Sequence, residues 1–225
     1  MTQTTTDNQV SSISEIRRER ERAEMTERIM DVARAMFVQD GYEAVTLRKI
    51  ALAIEYSPGA IYQYFKDKQA LIRAIIQKDQ QDLRTQIMES MLIEEPRERL
   101  IEMARRYAQW GISHPNHYLL LLAPPSNWAR EENNLRQDTP PQLERETIKI
   151  LYESVKDAMR RGVFKDKYTN ASLIAATLWA GIHGVIMLEI SMSEYDRALI
   201  GDKNISFEAR FETLKEVFLE GFVKE

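Results

Sequence analysis

Between Thr46 and Lys68 the chain reads TLRKIALAIEYSPGAIYQYFKDK, and two helix starts stand so close together there that few folds accommodate them. Thr46 can cap a helix through its hydroxyl, and Leu47, Ile50, Ala51 and Ile54 recur at i, i+3, i+4 and i+7, which makes one face apolar. Ser57-Pro58 is a second start, with a serine oxygen free to cap and proline tolerated at the first helical position. The spacing predicts two short helices joined by a tight turn.

That is the helix-turn-helix pattern, in which the second helix enters the DNA major groove. Ser57 caps it, and the small Gly59 and Ala60 let backbone approach the groove, where Gln63 offers an amide. Thr46, Tyr62, Tyr64 and Lys68 are placed for phosphates, and Lys66 adds charge. Arg48, two residues after the first cap, is the best candidate for a base edge, since a guanidinium can pair with guanine in two places.

The stretch TLRKIA…SPGAIYQYFKDKQAL resembles the DNA-binding signature of the tetracycline-repressor (TetR) family: Thr, apolar, two polar, Ile-Ala, then Ser-Pro-Gly, an aromatic-x-aromatic-Phe step and a Lys opening the next helix. The resemblance is specific over roughly residues 25–75. It implies an all-α chain, a three-helix head followed by a larger helical ligand-binding and dimerisation domain, with about nine helices altogether. It further implies a homodimer on a near-palindromic double-stranded DNA operator, a small-molecule effector, and repression as the sign of regulation. Where the family has Ala-Gly in the turn, this chain has Ile54 and Glu55; a non-glycine residue at positive φ there costs about 1 kcal/mol, so the turn is either mildly strained or built differently. Tyr56 is expected to point inward, where the family commonly places valine. LWAGIHG, Leu178 to Gly184, is similar to a Trp-x-x-x-His-Gly element of one subgroup of TetR-like regulatory domains.

Charge agrees with a local DNA contact and not with bulk attraction. The whole chain of 225 residues carries −4, yet Ala44 to Arg73 holds five basic residues against two acids. The absence of cysteine removes disulfides and thiol chemistry and fits a reducing cytoplasm. Residues 1–20 read as a disordered or frayed arm, 21–68 as the DNA-binding head and 69–225 as the ligand-binding and dimerisation domain. No basic stretch followed by an apolar run marks a signal peptide. IRRERER, Ile16 to Arg22, reads either as a solvated helix extension laced by i,i+4 pairs or as a basic arm in which Arg17, Arg18, Arg20 and Arg22 reach DNA.

In the head, Met25, Ile29, Val32, Ala33, Met36 and Phe37 fall on one helix face that Gly41 ends in a left-handed cap, with Tyr42, Val45, Leu47, Ile50, Ile61 and Phe65 closing the core. A helix from Lys68 to about Met88 is too long for the head alone and would link the domains, giving a route from ligand to DNA. Pro96 opens the next helix, whose Leu100, Met103, Tyr107 and Trp110 read as core and as cavity wall. A short apolar helix follows from Pro115 to Leu122, and then a long loop over 126–141. Ile148, Leu151, Val155 and Met159 define a helix ending at Arg160-Arg161-Gly162.

Ala171 to Leu188 contains no charged residue, which reads as a core or interface helix more readily than a membrane span. Its Ala176, Ala180 and Gly184 would permit close helix packing. The last helix stripes Phe207, Phe211, Leu214, Phe218 and Phe222, more apolar surface than one subunit covers, so residues 170–192 and 207–222 are expected to form the dimer interface. Ligand candidates are Tyr107, Trp110, His114, Tyr118, Trp128, Trp179 and His183, suggesting a mostly apolar effector. No acid stands near His114 and His117 in the sequence to complete a metal site, and the nucleophile and cofactor motifs of enzymes are missing. Neither a cofactor nor a membrane partner is therefore expected. A metal-dependent helical enzyme and an adaptor whose head has lost DNA binding are the competing readings.

Overall fold

The computed structural model describes residues 4–122, 142–192 and 205–224. Among them are eight α-helices and two short 3₁₀ turns, with one isolated bridge between Phe164 and Val223. The chain separates into two compact units between Ile76 and Gln77.

The first unit is built on α1 (Thr4–Asp40), α2 (Leu47–Ala53), a 3₁₀ turn (Ala60–Gln63) and the opening turns of α3 (Lys68–Met88). Its core is filled by the expected residues: Ile29, Ala33, Val45, Ile50 and Ala51 are fully buried, with Phe37, Tyr42, Leu47, Ile61 and Phe65 nearly so. Gly41 closes α1 at φ +79°, donating its N–H to the Phe37 carbonyl. Thr46 Oγ1 accepts from the Lys49 N–H at 3.2 Å and so caps α2. Asp67 does the same for α3, accepting from the Ala70 N–H at 2.6 Å.

Three expectations for this unit need correction. The segment read as a disordered arm is helical from Thr4, and Arg17–Glu21 and Arg20–Glu24 pair at i,i+4 along it, as the solvated-extension reading requires. The second helix of the motif is only a four-residue 3₁₀ turn, because backbone bonding after Pro58 runs from Ala60 to the Ser57 carbonyl and from Tyr64 to that of Ile61. Tyr56 is 37% exposed: the turn leaves Ile54 in the core, 1% exposed, and carries the next two residues outward. No local pattern foretold Arg34, which is 1% exposed and paired with Asp31 at 2.6 Å.

The second unit takes the rest of α3, a 3₁₀ turn (Glu89–Leu92), α4 (Pro96–Ser113), α5 (Pro115–Leu122), α6 (Gln142–Arg160), α7 (Ala171–Ser191) and α8 (Phe207–Phe222). Helix α4 packs on α5, α6 and α7, and α7 packs on α6 and α8. Pro96 opens α4 behind Glu95, Asn170 caps α7 through the Leu173 N–H, and Gly162 ends the turn after α6 at φ +72°. Arg99, 7% exposed, pairs with Asp157 across α4 and α6, and this guanidinium holds the Asp157 carboxyl below the usual carboxylate range. Helix α7 is long and apolar enough to cross a membrane, yet its Ile174, Ala175, Ile182, Val185 and Ile186 are buried within the unit.

Two expectations change here as well. Among the described residues Ala176, Ala180 and Gly184 have no packing partner but lie exposed along α7 with Leu173 and Leu188. The close approach falls on Gly181 instead, where an added Cβ would stand 2.6 Å from the Phe218 ring. The aromatic stripe of α8 turns inward: Phe211, Leu214, Phe218 and Phe222 face a cavity of their own unit, while the outer side carries Ala209, Thr213, Glu216 and Val217.

Candidate functional site

Each unit presents one arrangement with functional chemistry. In the first, α2 buries Leu47, Ile50 and Ala51, which turns Arg48 and Lys49 out to solvent. Ile61 is the buried anchor of the 3₁₀ turn, so its neighbours Tyr62 and Gln63 are exposed, Tyr62 by 57%. Gly59 is open, with nothing within 4 Å of an added Cβ. Thr46, Arg48, Ser57, Gly59, Tyr62 and Gln63 are all exposed, with Ala60, Tyr64 and Lys68 half-buried.

The turn between α2 and the 3₁₀ segment takes the positive-φ form of the two alternatives. Ile54 has φ −97°, and Glu55 at φ +62° is the positive-φ non-glycine residue among those described. The Glu55 N–H reaches the Leu52 carbonyl and the Tyr56 N–H reaches that of Ala51, which closes α2 in a left-handed cap. Lys68 has a partner within the head. Its ammonium donates to the Tyr42 carbonyl at 2.8 Å and lies 3.9 Å from the centre of the Tyr42 ring.

Arg22 does more than a residue of a solvated helix. Its guanidinium donates to the Gln63 carbonyl at 3.2 Å and sits 5.8 Å from the Tyr64 ring centre. A four-residue 3₁₀ turn has little stability of its own, and Arg22 ties it to α1. Around that contact Arg18, Arg28, Tyr56 and Tyr64 line an open hollow, with Glu21 and Glu24 as the acids.

In the second unit a cavity of about 230 Å³ opens among α3, α4, α6, α7 and α8. Its wall is mostly Leu, Ile and Phe, including Leu83, Ile101, Leu151, Phe211 and Phe218. Of the proposed ligand residues, Tyr107 and Trp179 line it and Trp110, His114, Tyr118 and His183 do not; Trp128 lies outside the described residues.

Four polar side chains, two of them in the wall, form one hydrogen-bonded chain. Trp179, which can only donate, gives its N–H to the Tyr107 hydroxyl at 3.2 Å; Tyr107 donates to Tyr118 at 3.3 Å, and Tyr118 meets His183 Nδ1 at 2.7 Å. With Tyr118 as donor, His183 accepts at Nδ1 and carries its proton on Nε2. Burial raises both tyrosines above the ordinary phenol range and lowers His183 below the ordinary imidazole range, which keeps every member neutral. His183 also stacks on Trp179, at 5.4 Å between ring centres. The two ends of the Trp-x-x-x-His element thus serve one hydrogen-bonded wall.

The other histidines make a separate cluster. His114 stacks on Trp110, and His117 Nδ1 lies 3.0 Å from Asp79 Oδ1, an acid that arrives from α3 and that sequence proximity alone could not supply. No group of three metal-ligating residues suited to a metal ion occurs among the described residues.

Both units have counterparts among known proteins. The model of "Bacterial regulatory proteins, tetR family" matches residues 29–75, and that of "Tetracyclin repressor-like, C-terminal domain" matches residues 100–214. The HTH-type transcriptional regulator UidR of Escherichia coli (strain K12) is 39% identical over 54 residues, 24% of this chain and 28% of the relative. The HTH-type transcriptional repressor AcnR of Corynebacterium diphtheriae is 32% identical over 77 residues, 34% of this chain and 40% of the relative. The match to these curated relatives therefore spans well under half of their length. Among solved structures, the MbdR regulator from Azoarcus sp. CIB aligns with a TM-score of 0.65 at 22% identity, covering 88% of this chain and 99% of that one. The TetR family transcriptional regulator PfmR from Thermus thermophilus aligns with a TM-score of 0.62 at 17% identity, covering 86% and 97%. At these identities the structural likeness speaks for the fold alone.

Proposed function

Because this chain belongs to the tetR family of bacterial regulatory proteins, with family models matching both its head and 100–214, we propose that it is a homodimeric, ligand-responsive DNA-binding transcriptional repressor. The observation that carries this reading is the contrast on α2 and the 3₁₀ turn, where Ile50 and Ile61 are buried and Arg48, Tyr62 and Gln63 stand free in solvent. Arg48 and Gln63 read base edges, while Thr46, Ser57, Tyr62 and Tyr64 meet phosphates or sugar. Gly59 and Ala60 allow the backbone to come close.

The partner is a second copy of the chain. The exposed row Leu173, Ala176, Ala180, Gly184 and Leu188 on α7, with Val217 and Thr213 on α8, supports an isologous four-helix interface. Such a dimer addresses two half-sites about 34 Å apart. A small, mostly apolar effector fills the cavity and lowers operator affinity. Helix α3, whose residues belong to both units, is the continuous element by which occupancy reaches the head.

Selection of bound sequences from a random DNA pool by the purified chain tests this reading. The expected winner is an inverted repeat whose binding weakens steeply with salt. Enrichment of no sequence at low salt contradicts it.

A further inference from the structure

The cavity wall fixes more about its ligand than that it is apolar. Two of its lining residues are cations, Arg97 on α4 and Lys215 on α8, and among the described residues no carboxylate lines it. Lys215 is paired with Glu212, whose carboxyl is held low by Lys215 and by Arg105 at 3.6 Å, while Arg105 itself also pairs with Glu102 at 3.3 Å. The Arg97 guanidinium has no ion pair among the described residues, and Arg97 is exposed.

The deeper wall offers nothing for a charge. Trp179 has a single N–H and gives it to Tyr107; Tyr107 has a single O–H and gives it to Tyr118. Both donors are committed, and the remaining polar lining residues, Gln80 and Thr147, are neutral. A charged head placed there would lose its hydration without a counter-charge, which is strongly unfavourable. At the Arg97 and Lys215 positions the same head finds cations.

We propose that the effector is an amphipathic organic anion, a carboxylate carrying an unbranched or lightly substituted apolar tail. Its head sits against Arg97 and Lys215 and its tail runs in among residues such as Leu83, Leu151, Phe211 and Phe218. At about 230 Å³ the cavity is smaller than the roughly 300–1,000 Å³ of sites for drug-sized ligands, which favours a slender tail over a fused-ring body. This assignment rests on the ligand-responsive reading above and adds the charge and shape of the ligand.

The test is isothermal titration of the full chain with straight-chain carboxylates from hexanoate to dodecanoate, and with primary alcohols and primary amines of the same lengths. Carboxylates are expected to bind about tenfold or more tighter than the matched alcohols, and amines weakest. Each added methylene should tighten binding about fourfold until the cavity is full. In the double variant Arg97→Gln with Lys215→Gln the carboxylate advantage should vanish while alcohols bind as they do to the parent chain, which shows the variant is folded. An alcohol equal to its carboxylate, a preference for amines, a carboxylate advantage that survives in the double variant, or no binding across the series overturns the proposal. Operator binding by the same preparations, without any probe, separates the two readings: headgroup discrimination can fail while an inverted repeat is still bound, and the reverse.

Discussion

The head and the cavity unit spend their apolar residues in opposite ways. The head buries Ile29, Ala33, Val45, Ile50 and Ala51 to zero exposure and leaves Arg48, Tyr62 and Gln63 on its outside. The second unit keeps a hollow of about 230 Å³ inside its own core, walled by the same kinds of side chain. A reader of DNA must hold donors and acceptors in fixed places, whereas a receptor must leave room. Apolar hollows cost stability, and a ligand binding only the folded chain returns some of it by mass action.

The largest expected effect lies on the outer face of α7. Ala180→Arg places a charge in the proposed dimer interface; sedimentation should find monomers, and operator affinity should fall about a hundredfold or more through lost bivalency. A dimer that persists with unchanged affinity removes α7 from the interface.

Gly181→Ala acts on the inner face of the same helix. Its Cβ would stand 2.6 Å from Phe218 Cζ, so the ring must move toward the cavity. Thermal unfolding should report a loss of roughly 1–3 kcal/mol, with weaker ligand binding. A variant as stable as the parent would mean that the hollow absorbs the ring freely.

In the head, Arg22→Ala should reduce operator affinity about tenfold with thermal stability nearly unchanged, and Arg22→Lys should recover part of it. Equal affinities for all three would leave the 3₁₀ turn self-supporting. Glu55→Gly should add up to about 1 kcal/mol of stability by relieving the positive φ. No gain, measured by denaturant unfolding, would show that the unfolded-chain entropy of glycine offsets the relief.

The smallest effect is a pH dependence from His183. Its folded pKa lies below the ordinary imidazole value of 6.5, so the unfolded chain binds more protons in the window beneath that value. Its contribution is complete above about pH 6.5 and declines as pH falls toward the depressed folded value. His183→Gln should flatten that slope in pH-resolved unfolding; an unchanged slope assigns it to other groups.

The two units also differ in how much their sequence disclosed. Head contacts are short in range, so Thr46, Gly41 and the Leu47–Ile50–Ile54 pattern stated their roles directly, while the turn at Glu55 was flagged only by the family resemblance. What escaped was the length of the second helix, since a capping serine and a proline allow a 3₁₀ turn as readily as an α-helix. In the second unit the helices at Lys68, Pro96, Pro115, Ala171 and Phe207 were equally plain. Their partners were not: Tyr107–Trp179, Tyr118–His183 and Asp79–His117 join residues 38 to 72 positions apart, and no local pattern encodes which face of α8 turns inward. Arg97 and Lys215 are likewise two ordinary surface cations until the helices bring both to one cavity.

The most direct measurement is the random-pool selection repeated with Gln63→Ala and compared base by base with the parent chain. If the exposed 3₁₀ turn reads the operator, the variant should recover the same inverted repeat with preference relaxed at one symmetric pair of positions, costing about 1–3 kcal/mol there. An unchanged preference at every position would contradict the assignment of the reading face.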